Sequence, residues 1–416
     1  MERKTKASAA GLPRFFRFAL EEATQGSRSY HVWMAFLTFV MCCGAFAYSV
    51  QLTEGLAATG MHDKVSWGFY ISNFAFLVGI AAAAVILVLP TYVLDDIDFS
   101  RAVLIGEAVA VSALVMAIAF VVVDVGGPLR LWHLIPGIGV MNWPRSMLTW
   151  DILVLNVYLA LNLSIPFYIL YSHFQGREPV RRYYVPAVIA SILWAVSLHL
   201  VTAFLFAGLP ARPYWHNALL GPRFLATAFT AGPALLILIL AAIRRFTGFP
   251  VGNPTINKLA LVTTVSAQVT LVMLVSELFV EFYRQTHHSL GASYLFFGIG
   301  EHRALVPWIW TSIALNVAAT LVLTIHPLRR RPLLLYAACA ALFFGIQLEK
   351  GMGTIIPGFI PEPWGKIYEY SPTWVELMVS AGIWALGAFL FTVLAKVAIP
   401  IEMKRLKPGA PGTQNL

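Results

Sequence analysis

The sequence predicts an all-α integral membrane protein with ten transmembrane helices, and three observations lead there. Charged residues make up 12% of the 416 and hydrophobic ones 59%, whereas soluble domains carry about a quarter charged residues. Mean hydropathy is +0.74. Apolar runs near the roughly 20 residues that cross a bilayer as a helix recur along the whole chain between short polar breaks. A large soluble domain is excluded by the same arithmetic.

The elements follow in order. Residues 1–30 form a basic arm carrying Arg3, Lys4, Lys6, Arg14, Arg17 and Arg28. Helix 1, 31–54, is too long for the core of a signal peptide and has no small-residue cleavage site, so it reads as an uncleaved span. Helix 2, 67–94, opens at Trp67-Gly68 and stops before Asp95-Asp96; helix 3, 101–124, runs from Arg101 to Asp124. Helix 4, 149–174, stops before Gly176, and helix 5, 183–209, lies between Arg182 and Pro210. Helix 6, 222–246, stops before Gly248; helix 7 covers 257–285 and helix 8 covers 304–325. Helix 9, 332–349, begins at Pro332, and helix 10, 374–400, ends at Pro400, because Pro and Gly punctuate helices. The transmembrane domain is therefore 31–400, and 401–416 reads as a disordered tail.

An even number of spans puts both termini on one side. That side holds 20 of the 29 Lys and Arg, whereas 11 of the 20 Asp and Glu fall on the other. The bias predicts cytoplasmic termini. The net charge of +9 is accounted for by this topology and by contact with anionic lipid, with no nucleic-acid role. The nine remaining cations fall on the opposite side, with Arg223 just inside the start of helix 6 and Lys350 just past the end of helix 9; the outer connections are longer than the inner ones and richer in Trp, Pro, Gly and His.

Polar residues inside spans are costly and point to function. They crowd the outer half: Gln51 and Glu54, Asn73, Asp124, Asp151 and Asn156, Glu277 with Glu281 one turn outward, Gln347 and Glu349. His199 falls near the middle of helix 5. Glu107 is buried in the inner half. Glu54, Glu281, Glu301 and Glu376 have a plainer reading as markers of the water interface, and Asn156 and Asn162 as interhelical hydrogen-bond donors. Cys42, Cys43 and Cys339 form no metal or cluster spacing. A lone mid-membrane histidine does not ligate haem b, which needs two, so neither haem nor an iron–sulfur cluster is expected in this chain.

Residues 124–151 carry the most information: Asp124, Gly127-Pro128, Arg130, Trp132-His133, Trp143, Ser146 and Trp150 in a stretch too broken by Pro and Gly to span and too apolar for a free loop. It is expected to lie along the outer interface. An apolar slot rimmed by an acid, an arginine and a histidine suits a lipid-soluble ring with carbonyl oxygens, such as a quinone: donors orient the oxygens, and a nearby acid or His exchanges protons. The plain alternative is an interfacial segment that seals the bundle.

Together with Trp67-Gly68-Phe69-Tyr70-Ile71 and Gly79-Ile80-Ala81-Ala82-Ala83 in helix 2, that segment resembles the NrfD/PsrC family of quinone-interacting membrane subunits. The likeness covers helices 2 to 9 in layout and is specific in helices 2 to 4. Ten spans, and the ending Ile360-Pro361, Tyr368-Glu369-Tyr370-Ser371-Pro372 and Ala395 to Ile401, resemble most the DsrP branch of that family, linked to dissimilatory sulfur metabolism. The resemblance implies two four-helix bundles, helices 2–5 and 6–9, related as a parallel repeat, with helices 1 and 10 peripheral. It implies a quinone such as menaquinone as substrate and no cofactor of the chain's own. As partners it implies a ferredoxin-like iron–sulfur subunit on the outer face and further cytochrome and membrane subunits, all at the inner membrane.

On these grounds Asp124, Arg130 and His133 are the expected catalytic groups, Trp67, Asn73, Trp132 and Trp150 the expected quinone contacts, and Glu107, His199 and Glu277 the expected proton path. The sequence departs from the family in having Gly127 where an arginine often precedes the proline. Two rival classes remain: an ion or proton transporter or channel, which broken mid-membrane helices would favour, and a passive anchor, for which one span would suffice.

Overall fold

The computed structural model describes residues 11–100, 102–135, 137–284, 289–360 and 365–405. Arg3, Lys4, Lys6 and Arg101, and residues 406–416 of the expected tail, lie outside the described residues. Among the described residues ten helices are long and apolar enough to cross a membrane. They are α1 (Arg28–Glu54), α2 (Phe69–Tyr92), α3 (Val103–Asp124), α4 (Met147–Phe174), α5 (Arg181–Ala207), α6 (Leu220–Thr247), α7 (Asn253–Arg284), α8 (Val306–Thr324), α9 (Pro332–Lys350) and α10 (Trp374–Arg405). Each coincides with an expected helix to within a few residues, and the chain is an all-α multi-pass membrane protein. α1 is capped by Ser27, whose hydroxyl accepts from the Tyr30 amide at 3.3 Å and so satisfies one of the helix's free N–H groups.

α2, α3, α4 and α5 close one ring of packed neighbours, and α6, α7, α8 and α9 close a second, so the two expected four-helix bundles are present. α1 packs on α10, and α10 on α3, outside the first bundle. Small residues set these approaches, as they do wherever helices meet without water to drive them together. A Cβ on Gly44 of α1 would lie 2.7 Å from the Cα of Gly382 on α10. The bundles meet where α6 crosses α2: a Cβ on Gly232 would overlap the Ala83 methyl, and one on Gly79 would lie 2.9 Å from the Lys350 ammonium of α9. At the same crossing α2 is interrupted. Ile86 and Leu87 donate to Ala83 and Ala84 at 3.1 and 2.9 Å, in the tighter three-residue pattern, a local change of the kind that bends helices.

Two boundaries differ from expectation. Within the basic arm, Gly11–Thr24 is a helix that buries Phe15 among Phe167, Tyr171 and Phe174. α10 runs through Pro400 to Arg405, so the expected tail begins inside a helix. Burial of Ile401 and a 2.6 Å contact between Glu402 and the His173 ring supply partners beyond the proline. On the terminus side the bundles are also clasped: Lys258 reaches Asp96 at 2.6 Å and Asp98 at 2.9 Å, and this holds the Asp96 carboxyl below its ordinary range.

On the opposite side the connections fold over the spans. Residues 351–360 are buried almost throughout. Trp215 donates to the Thr354 carbonyl at 2.7 Å and Tyr214 to that of Gly353 at 3.0 Å, while burial pushes the Tyr214 phenol up to about 12. Trp67 packs against Trp215, Phe206 and Phe359, with ring centroids 5.6–5.9 Å away. These rings form an aromatic roof over the line where the bundles meet.

Because Gly232 meets Ala83 so closely, Gly232→Val is expected to destabilise the protein by about 1–3 kcal/mol through overpacking. Gly127→Ala, whose new methyl would meet nothing nearer than 4.0 Å, should stay within about 0.5 kcal/mol. Thermal unfolding of both variants in detergent checks this.

Candidate functional site

Beneath the roof the polar side chains form three groups. The first joins the bundles. Asn73 of α2 accepts at Oδ1 from Gln347 of α9 at 3.2 Å and from the Trp384 indole of α10 at 3.0 Å, and donates to the Phe69 carbonyl at 2.8 Å. Expected as a quinone contact, Asn73 stands here as a buried tie between three helices.

The second group lies in the second bundle. Arg223, in the first turn of α6, is shared between Glu277 of α7 and Glu349 of α9, the latter at 2.7 Å. Asn316 of α8 donates to the other Glu349 oxygen at 2.8 Å, so one ion cluster holds all four helices of the bundle. Lys350 is also buried: its ammonium donates to the Phe224 carbonyl at 3.2 Å and lies 4.5 Å from the Phe224 ring centre. Glu277, Glu281, Tyr214 and Arg223 line one small cavity, so the acid pair one turn apart does share a face. Lys350, expected just past the end of helix 9, is therefore not a connection charge, and Arg223 lies inside its span as expected. α6 begins at Leu220 and α9 ends at Lys350, so both cations fall within the spans. The available signal was a match of depth, since each of these cations lies near an acid at the outer end of a span.

The third group is the outer rim of the first bundle. Gln51 of α1 donates to the Val123 carbonyl at 2.7 Å and accepts from the Tyr70 hydroxyl at 2.7 Å. Glu376 is fully buried rather than at the water interface. It accepts from the Gly60 amide at 2.7 Å, the Thr373 amide at 3.0 Å and the Tyr370 hydroxyl at 2.5 Å. Tyr370 in turn accepts from the Phe69 amide at 2.7 Å. Burial and the neighbouring Glu376 push the Tyr370 phenol well above its ordinary range, which keeps it a donor. Gly68 makes room for that ring, since a Cβ there would lie 2.6 Å from it; this is the local reason for the Trp67-Gly68 start of α2.

Asp124 closes α3, with its Oδ1 buried and without a hydrogen-bond partner among the described residues. Beyond it Pro128–Leu134 forms a 3₁₀ helix on the surface. Arg130 and His133 are exposed, and Trp132 stacks on His133 with centroids 3.7 Å apart. Trp150 packs on Trp143 at 3.8 Å and donates to the Pro144 carbonyl at 2.8 Å. Among the described residues no hydrogen bond or ion pair joins Asp124 to Arg130 or His133. Asp151 of α4 instead accepts from Thr202 of α5 at 2.7 Å.

The structure therefore brings Asp124, Arg130, Trp132 and His133 to one end of α3, and draws Trp67 into the roof and Asn73 into the bundle junction. Glu107, His199 and Glu277 stand apart, with no hydrogen bond joining them among the described residues. His199 is fully buried, with Nδ1 3.1 Å from its own helix's Ala195 carbonyl and Nε2 without a partner among those residues. Asn156 and Asn162 donate to carbonyls of their own helix at 2.8 and 2.9 Å, not across helices. No group of three His, Cys, Asp or Glu that could hold a metal occurs among the described residues.

Two four-helix bundles with ion pairs buried in one of them, beneath a folded roof on the side opposite the termini, define a polytopic helical membrane protein with polar groups crowded toward that side. The chain belongs to the polysulphide reductase, NrfD, family, whose model matches residues 57–350. It is 24% identical over 412 residues to a putative dimethyl sulfoxide reductase membrane subunit of Halobacterium salinarum, covering 91% of this chain and 92% of the relative. It is 23% identical to a selenate reductase subunit of Mesobacillus selenatarsenatis, with 90% and 95% covered. It is also 23% identical to the Hdr-like menaquinol oxidoreductase integral membrane subunit of Archaeoglobus fulgidus, with 89% and 93% covered.

Arg223→Ala leaves Glu277 and Glu349 buried without their cation, and is expected to cost about 3–5 kcal/mol. Thermal unfolding of the variant against the parent protein reads this.

Proposed function

We propose that the chain is the quinone-interacting membrane subunit of a multi-subunit oxidoreductase. It exchanges electrons between the quinone pool and a ferredoxin-like iron–sulfur partner on the outer face. Its relatives are named as subunits of reductases and of a menaquinol oxidoreductase, and this supports the reading. The observation that carries it is the outer end of α3. The Asp124 Oδ1 is buried and unpartnered among the described residues, while Arg130 and His133, one turn of 3₁₀ helix apart, are exposed beside the Trp132 ring.

A quinol oxidised there gives up two electrons and two protons. Arg130 orients a ring oxygen, His133 takes or gives a proton at the same oxygen, and Asp124 passes it on. Trp132 and Trp150 flank the ring, with Trp67 and Asn73 behind them shaping the inner wall. The same reading gives Glu107, His199 and Glu277 the handling of protons at three depths, and sets the termini in the cytoplasm and the chain in the inner membrane. The ending that resembles the DsrP branch supports a role in dissimilatory sulfur metabolism, with further cytochrome and membrane subunits. An ion transporter is the weaker reading, because the relatives are named as subunits of reductases and of a menaquinol oxidoreductase.

His133→Ala and Asp124→Asn are expected to lower quinol-dependent turnover of the assembled complex by about a hundredfold, the usual contribution of a positioned acid or base. Turnover equal to that of the parent complex would remove both from the site. A complex in sealed vesicles that shifts no protons across the membrane during turnover removes the proton assignment of Glu107, His199 and Glu277.

A further inference from the structure

A cavity of about 460 Å³ lies on the terminus side, walled by the Gly11–Thr24 helix and by α3, α4 and α10. It is within the size range of sites that hold a small organic ligand. Its wall is apolar and partly aromatic, with Phe16 and Phe167 nearly parallel at 6.2 Å. Two polar side chains, Glu107 and Asn162, also line it, 3% and 7% exposed. The Tyr92 side chain neighbours the Glu107 carboxyl, yet its Oε2 has no hydrogen-bond partner among the described residues, and a buried polar atom left so is costly unless something supplies the missing bond.

The lining contains no Lys, Arg or His among the described residues, so the site has nothing to balance a phosphate and does not suit an anionic lipid headgroup. It suits an uncharged head bearing carbonyl or hydroxyl oxygens, with a flat ring and a long apolar tail. We infer that this cavity binds a second molecule of prenylated quinone or quinol, an oxygen of its ring bonded at Glu107 and Asn162 and its ring laid against the stacked Phe16 and Phe167 pair. The inference rests on the reading of the chain as a quinone-interacting subunit, and the site is distinct from the outer one. Glu107 and Asp124 are 17 residues apart on the continuous helix α3, about 26 Å along its axis at 1.5 Å per residue. The Gly11–Thr24 helix, held down by Phe15, is one wall of this site, which gives that segment of the basic arm a role beyond topology.

The test is photolabelling of the full complex in phosphatidylcholine nanodiscs with an azido-menaquinone, followed by peptide mapping. Label is expected both in the outer segment 124–150 and in the inner peptides 104–111 or 162–170, with the inner label competed away by unlabelled menaquinone. Val111→Trp, which fills the cavity wall, should reduce the inner label at least about tenfold, a loss of roughly 1.4 kcal/mol of binding, with the outer label retained. Competition in the parent complex needs no variant and stands even where Val111→Trp fails to assemble. Label confined to the outer segment would overturn the inner site and leave the proposed function standing. An inner label that resists competition, or a co-purified lipid lost in Val111→Trp without any inner label, would also overturn it. Absence of label from both places would overturn the inner site and the proposed function together.

Discussion

The close crossing of α2 and α6 is the contact on which the rest of the molecule depends. Gly232 lets α6 press against Ala83, and Gly79 leaves room for the Lys350 ammonium between the bundles. Larger side chains there would hold the bundles apart, and Asn73 would then lose Gln347, which reaches it across the same seam. The break in α2 at Ala83–Ala84 sits at this contact, so the helix bends where its neighbour is nearest.

A second constraint follows from the medium. Within the hydrocarbon no water can satisfy a polar group, so each must find its partner in the protein. The second bundle meets this with a cluster in which Arg223 is shared by Glu277 and Glu349 and Asn316 completes Glu349. Such a cluster is not a strong source of stability, because the desolvation of its members offsets much of their attraction. It fixes instead which faces of α6, α7, α8 and α9 turn inward. In the first bundle Asp124, Glu107 and His199 each keep one polar atom without a partner among the described residues, as the Asn316 Oδ1 does in the second.

The roof and the rim opposite the termini differ in what they expose. Trp67, Trp215, Phe206 and Phe359 pack on each other and close the seam, while Trp132, His133 and Arg130 face outward on a short 3₁₀ helix. Glu376 and Tyr370 tie α10 to the start of α2 and so fix the edge against which Asp124 stands. A surface of this kind combines a rigid base with accessible polar groups, which is what binding and catalytic loops require.

The ten helices, their order and the crowding of polar groups toward one membrane face were legible in the amino-acid sequence. Apolar runs of spanning length and the Pro, Gly and charged residues that end them are local properties of the chain, and so is the interfacial character of 125–148. The role of individual polar residues was not local. Arg223 and Lys350 each lie at the edge of an apolar run, where the sequence counts them only as outer-side charges, and only the packing of α6, α7 and α9 shows carboxylates and a carbonyl waiting for them. Trp67 and Asn73 carry a motif, yet whether they face a ligand or each other's helices depends on where α9, α10 and residues 351–360 come to rest. The cavity on the terminus side has no sequence signature, because its walls come from four segments spread along nearly the whole chain. A span's existence is set by its own transfer free energy from water to lipid, whereas a buried polar group's role is set by which other helix supplies its partner, and that only the tertiary structure decides.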